Sequence, residues 1–319
     1  MIDPSRDLAQ RRRNRLETLL LMGAAVLILA VAAVGLAGPL GLVAVPLVVV
    51  AIAYDASHQD GREALTRLRA RALSPQAVPG LCELVETLSA RAGLSTIPAL
   101  YLVPQKAMNA FAIGSGRHAA IGVTPALLTH LTRREVAGVL AHEIGHLAHG
   151  DLRVFATGER MQRLAGVLSI AGLALLVVNL PALMSGRPLV PILPNLLMLA
   201  APGIIMSLRL ALSRTREFDA DRMAAQLTGD PQGLADALQR VEAMHHALLA
   251  RMFPGLRRTP GGVQATTHPP MRARLARLGD LKRPGSENGP VGAEPVVADG
   301  HRPFVLPEPA RQRGEAVRL

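Results

Sequence analysis

The chain has no tryptophan, one cysteine, two tyrosines and five phenylalanines in 319 residues, so aromatics make up only 2%. Lysine is nearly absent too: Lys106 and Lys282 are the only two, and arginine supplies the rest of the positive charge. Each shortage excludes something. With Cys82 alone, no intramolecular disulfide can form, which fits a catalytic domain in the reducing cytoplasm. With so few aromatics there is no basic patch interleaved with stacking rings, so the net charge of +11 is not read as a nucleic-acid surface, and no nucleic-acid partner is expected. Charge is itself missing from long stretches: residues 18–54, 164–186 and 188–208 carry none.

Leucine, alanine, valine and isoleucine fill those stretches. Half of all residues are hydrophobic and the mean hydropathy is +0.28, high for a soluble domain. Residues 18–54 are too many for one perpendicular span, which needs about 20, and Gly35, Gly38, Pro39 and Gly41 offer a turn. Two spans are expected, roughly 18–36 and 38–54, within a transmembrane hairpin of residues 16–54. A signal peptide is the competing reading, and it is weaker because a second apolar stretch follows at once. Arg6, Arg11, Arg12, Arg13 and Arg15 precede the first block; Arg62, Arg67, Arg69 and Arg71 follow the second. That is the distribution of the positive-inside rule, with the basic N-terminus 1–15 in the cytoplasm. A second hairpin is expected over residues 163–209, interrupted at Arg187. Two paired hairpins return the chain to the side it left.

Between the hairpins stands His142-Glu143-Ile144-Gly145-His146. Histidines four apart on a helix lie one turn apart on the same face, so their imidazoles can converge on one metal ion. Glu143 sits beside the first of them, placed to act as a general base on water. This is the H-E-x-x-H arrangement of zinc peptidases. The competing reading is a buried helix with two hydrogen-bonded histidines. The helix is announced by Thr132 as N-cap, Glu135 completing a capping box, and Gly150 past its end, over about 133–149. Around it the pattern gives helices at roughly 60–73 and 80–92, strands at Leu100–Val103, Met108–Ile113 and His118–Val123, and a short helix opened by Thr124-Pro125.

A catalytic zinc takes a third protein ligand. His118, His130, His149, Glu217, Asp219, Asp221 and His268 are the candidates. His149 is on the same rigid helix as the first two, which cannot easily wrap three tetrahedral ligands. Glu217 lies on a separate helix that can approach from the side. Asp221, one turn on, can accept a hydrogen bond from a ligand imidazole and fix its orientation. Asp230-Pro231 opens another helix to about 250, a short basic helix ends near Leu281, and residues 282–319 read as a disordered tail.

Several of these motifs together resemble the integral-membrane zinc metalloproteases that include the bacterial heat-shock protease HtpX and the CAAX prenyl endopeptidases, the HtpX branch being nearer. They are Asn109-Ala110-Phe111-Ala112; the His142–His146 helix with Asp151 beyond it; Arg214 with Arg216-Glu217-Phe218-Asp219-Ala220-Asp221; and His268-Pro269-Pro270 with Arg274. The resemblance runs from about residue 16 to 281. It implies a mainly α fold with a small β-sheet (α+β), a zincin-like peptidase domain combined with about four transmembrane helices. The peptidase domain would come in two parts, 55–160 and 210–281. It implies one Zn2+ per chain on His142, His146 and Glu217, with Glu143 catalytic and Asp221 behind the ligands. Asn109, Ala110, Phe111 and Ala112 would form a substrate-pairing edge strand, and His268 would contact substrate or the oxyanion. The implied activity is an endopeptidase of the bacterial inner membrane, multi-pass, its catalytic domain facing the cytoplasm. It would clear damaged or misassembled membrane proteins under stress, cleave itself, and work beside other quality-control proteases. A non-proteolytic zinc-binding membrane scaffold and a CAAX-type processing peptidase are the alternatives.

Overall fold

The structure, a computed structural model, describes residues 4–37, 50, 61–252, 271–281, 296, 303 and 304. Its helices are α1 (Pro4–Ala37), α2 (Gly61–Arg67), α3 (Pro79–Arg91), α4 (Pro125–His130), α5 (Arg133–His149), α6 (Asp151–Met184), α7 (Ile192–Thr228), α8 (Pro231–Met252) and α9 (Met271–Leu281). Its strands are β1 (Arg71–Ala72), β2 (Ala99–Leu102), β3 (Ala110–Ile113) and β4 (Ala120–Val123). The chain is thus mainly helical with one small mixed sheet.

Contacts divide the chain into two compact units. One comprises Met1–Pro4, Asp60–Leu152 and Arg214–Leu319; the other comprises Ser5–Gln59 and Arg153–Ser213. In the first unit the sheet has the order β1-β2-β4-β3. β2 and β4 are parallel, Leu100 opposite Ile121; β1 and β3 run antiparallel to their neighbours. The third expected strand begins later than anticipated, because Gly116–His118 closes a 3-10 turn that takes up His118. β1 was not anticipated: the first expected helix, 60–73, stops at Arg67, and Arg69 takes a positive φ of 53° that turns the chain into the sheet. A single apolar core joins α3, the sheet, α5 and α8 through Leu81, Leu88, Ile121, Leu140, Ile144 and Leu234. Each such fully buried aliphatic side chain contributes roughly 1.5–3 kcal/mol.

α5 forms where its local chemistry placed it. Thr132 Oγ1 accepts the N–H of Glu135, and the Thr132 N–H donates to Glu135 Oε2 at 2.7 Å, completing the capping box. Gly150 ends the helix at φ 71°, its N–H returning to the carbonyls of His146 and Leu147. Gly138 lets α8 approach: a Cβ there would stand 2.8 Å from the backbone of Leu234, closer than side chains tolerate.

In the second unit, α6 and α7 are the two described helices long and apolar enough to cross a membrane by length and composition, with mean hydropathies of 2.3 and 1.8. They meet around Met161, Ala165, Ala201 and Ile205, joined by Ala25 and Ile28 of α1. About four spans were expected; the described residues give two such helices, and the expected span at 38–54 lies outside the described residues apart from Val50. α1 also starts earlier than the expected span, at Pro4, so the arginine-rich N-terminus is helical and continuous with the apolar stretch. Asn179, a buried amide in the apolar run of α6, is used at the hairpin turn. Its Oδ1 accepts from Leu189 N at 2.7 Å and its Nδ2 donates to Val190 O at 2.8 Å.

The expectation of a wholly disordered tail also needs amending. Phe304 is buried at 6% exposure in the core of the first unit, with the Arg133 guanidinium 5.2 Å from its ring centroid. Val296 N–H donates to Thr228 O at 3.3 Å.

Candidate metal centre

His142 and His146 project from consecutive turns of α5, their rings edge-to-face with centroids 4.7 Å apart and Nε2 atoms 3.2 Å apart. Glu217 of α7 closes the third side. Its carboxylate oxygens stand 3.5 Å from His142 Nε2 and 3.7 Å from His146 Nε2. One donor atom from each residue lies within 4.8 Å of the others, and all three residues are buried. Among the described residues this is the one such group.

The two far nitrogens are taken. His146 Nδ1 meets Asp151 Oδ2 at 2.9 Å, and His142 Nδ1 meets Asp221 Oδ1 at 3.0 Å. Asp151 accepts the Nδ1–H of His146, and the Asp221 carboxylate stands in ion-pair contact with His142 Nδ1, so each ring turns its Nε2 toward Glu217, the tautomer a metal ion requires. Asp151 reaches back because Gly150 reverses the chain one residue earlier. Behind Asp151 lies Arg216, whose Nη1 donates to Oδ1 at 2.9 Å, both side chains fully buried. Behind Asp221 lies Arg274 of α9, donating from Nε to Oδ2 at 2.8 Å and from Nη2 to Oδ1 at 2.5 Å.

Charge supports the same reading. Glu143, Asp151, Glu217 and Asp221 are set against Arg216 and Arg274, so the ionised cluster carries two net negative charges. A divalent cation neutralises it. Burial opposes a charge on His142, but the carboxylates of Asp221 and Glu217 outweigh burial and push the imidazole up to about 10. Two imidazole nitrogens and a carboxylate oxygen are a donor set that fits a catalytic divalent metal.

Glu143 points to the sheet. Its Oε2 accepts the backbone N–H of Ala112 at 2.8 Å. β3 is the outer strand, and Asn109 exchanges hydrogen bonds with Thr124 on the β4 side. By antiparallel alternation Ala110 and Ala112 then turn their N–H and C=O groups to the open edge, while Phe111 faces β4.

The other candidates are not brought here. His118 sits exposed in its 3-10 turn. His130 is exposed and contacts Ala126 O at 2.9 Å. Asp219 lies 3.9 Å from Arg222, one turn on. His149, at the end of α5, is not among the donors. His268 lies outside the described residues. Asp151, Arg216 and Arg274 stood in the sequence motifs without a role. An acidic residue directly after the helix-ending glycine was the available signal for Asp151; the arginines had none, because their partners are 65 and 53 residues away in sequence.

The sequence pattern of Peptidase family M48 matches residues 75–282. Protease HtpX homologs of Burkholderia mallei (strain SAVP1) and Burkholderia pseudomallei (strain K96243) are each 32% identical to it over 286 residues, 85% of this chain and 98% of theirs. The crystal structure of S. mikatae Ste24p superposes with a TM-score of 0.44 at 17% identity, covering 86% of this chain and 66% of that one.

Proposed function

Since the chain belongs to peptidase family M48 and is a metalloprotease acting on polypeptides, we propose that it is a membrane-embedded zinc endopeptidase with His142, His146 and Glu217 as ligands and Glu143 as catalytic base. The observation that carries this is the convergence of those three donors around Nε2 atoms 3.2 Å apart, with Glu143 beside them. A zinc ion held there supplies Lewis acidity toward the scissile carbonyl and toward water.

The chain's own residues do the rest. Substrate lies extended along β3, pairing with the outward N–H and C=O of Ala110 and the C=O of Ala112, with Asn109 and Phe111 holding the strand on β4. Strand addition of this kind reads backbone more than side chains, so sequence tolerance is broad. Glu143 takes the proton of the attacking water and returns it to the leaving amine. Its hydrogen bond to Ala112 N keeps the carboxylate at the strand edge where substrate docks. Asp221 orients His142. His268 contacts substrate or the oxyanion.

Membrane insertion is supported by the exposure of α6 and α7. Only 11% and 18% of their apolar windows are buried, whereas the core helix of a soluble protein hides most of its apolar surface. Val167, Ile170, Leu173 and Val177 are each more than half exposed. The charge-free sequence of residues 18–54 supports a further hairpin, for a total of about four spans. The arginines flanking the first apolar block support a catalytic unit that faces the cytoplasm of a bacterial inner membrane, and the substrates we propose are damaged or misfolded membrane proteins.

The test is cleavage of casein by detergent-purified protein, wild type beside Glu143→Ala, after chelation and after zinc return. Zinc-restored cleavage confined to wild type is expected. Cleavage by Glu143→Ala at the wild-type rate overturns the assignment of the base.

A further inference from the structure

Arg274 meets more of the site than an ion pair requires. Its Nε and Nη2 fork both oxygens of Asp221, at 2.8 and 2.5 Å, and its Nη1 stands 3.5 Å from Glu217 Oε2. Asp221 Oδ1, one of those two oxygens, is also the atom 3.0 Å from His142 Nδ1. We propose that Arg274 is a positioning residue of the metal site, acting through Asp221 on His142 and directly on Glu217, so that one side chain sets two of the three donors. The proposal rests on reading His142, His146 and Glu217 as ligands.

Three observations favour this over a merely structural role. Arg274 and Asp221 are 4% and 2% exposed, and a buried ion pair is poor at stabilising a fold because desolvation offsets its attraction. α9 has other holds: Leu278 is buried at 2% exposure, and Arg277 stacks 3.7 Å from the centroid of the Phe218 ring. The geometry also demands a guanidinium. Its planar fork spans two Asp221 oxygens and still offers a third nitrogen to Glu217, where a lysine ammonium can only be a single point. Arg216 stands on the other side of the site, donating to Asp151, the partner of His146.

The experiment measures zinc affinity of the full-length protein in detergent by competition with a chromophoric chelator, alongside its melting temperature. Arg274→Ala, Arg274→Lys and Asp221→Asn are each expected to weaken zinc binding about 10- to 100-fold, as loss of a ligand's hydrogen-bond partner does. The double variant Arg274→Ala/Asp221→Asn is expected to lose less than the two single losses combined, because the arginine acts largely through the aspartate, and fully additive losses overturn that route. Leu278→Ala, on the same helix, is expected to melt lower and bind zinc as wild type does. Wild-type affinity in Arg274→Lys overturns the proposal. So do equal losses in Arg274→Ala and Leu278→Ala, which reduce the arginine to a helix fastener. Should Arg274→Ala not fold, the lysine and asparagine variants decide. Wild-type protein that binds no zinc overturns the ligand assignment itself, whereas zinc-loaded protein indifferent to Arg274 overturns only the positioning role.

Discussion

A metal ion that takes His142 competes with a proton. Burial opposes a charge on that imidazole, but Asp221 and Glu217 outweigh it and push the group up to about 10 from an ordinary 6.5 when no metal is bound. A raised value in the folded state means stabilisation that is fully present below 6.5 and is lost as pH climbs through 10. The chelated protein is therefore expected to melt progressively lower across that window. The zinc-loaded protein should not, because its imidazole is already deprotonated. Zinc uptake near neutral pH should likewise release a proton, seen as a buffer-dependent heat in calorimetry. A chelated protein with a flat melting profile from pH 6.5 to 10 would contradict this account of His142. At this scale the sequence was readable where chemistry is local. The spacing of His142 and His146 is set by the helix repeat, and Glu217 with Asp221 by another. The guanidiniums behind them were not readable in their roles, because nothing near Arg216 or Arg274 in sequence shows which carboxylate it will face.

Among the elements, α5 and α8 are fastened end to end by one aspartate. Asp230 accepts the N–H of Gly233 at 3.1 Å, capping α8, and also pairs with Arg134 in the first turn of α5, Nη2 to Oδ1 at 2.9 Å. Burial opposes the charge on Asp230, but the hydrogen bond from Arg134 and the N–H of Gly233 outweigh it and hold the carboxyl below its usual range. Loss of such a cap costs roughly 1–2 kcal/mol. Asp230→Ala should therefore lower the melting temperature by a few degrees at neutral pH. A depressed value means stabilisation that is present above the ordinary 3.8 and lost as pH falls through the lower folded value, so the gap between variant and wild type should close in acid. An undiminished gap at pH 3 would assign the effect to packing instead. α5 itself was legible to the residue because both of its ends are fixed by caps. β1 was not, since two residues carry no alternation. Phe304 was missed because a composition reading averages a stretch, whereas one aromatic ring needs only one socket.

For the molecule as a whole, the single cysteine makes sidedness measurable. In a Cys82→Ser background, a cysteine in place of Ser185, at the turn between α6 and α7, should react with a membrane-impermeant maleimide added to intact spheroplasts. A cysteine in place of the exposed Arg117 should react only after lysis. The reverse pattern would place the catalytic unit outside the cytoplasm.

The order of the proposed ligands along the chain has a further consequence, in time rather than space. His142 and His146 come before α6 and most of α7; Glu217, Asp221 and Arg274 come after the apolar hairpin. A ribosome makes them in that order. The nascent chain therefore carries two histidines and the base, but no complete site, throughout the synthesis of the membrane hairpin. Only when the end of α7 emerges can the three donors meet, and Arg274 follows later still, so on the proposed reading the unfinished protease has no working centre to turn on itself or on its neighbours at the point of insertion.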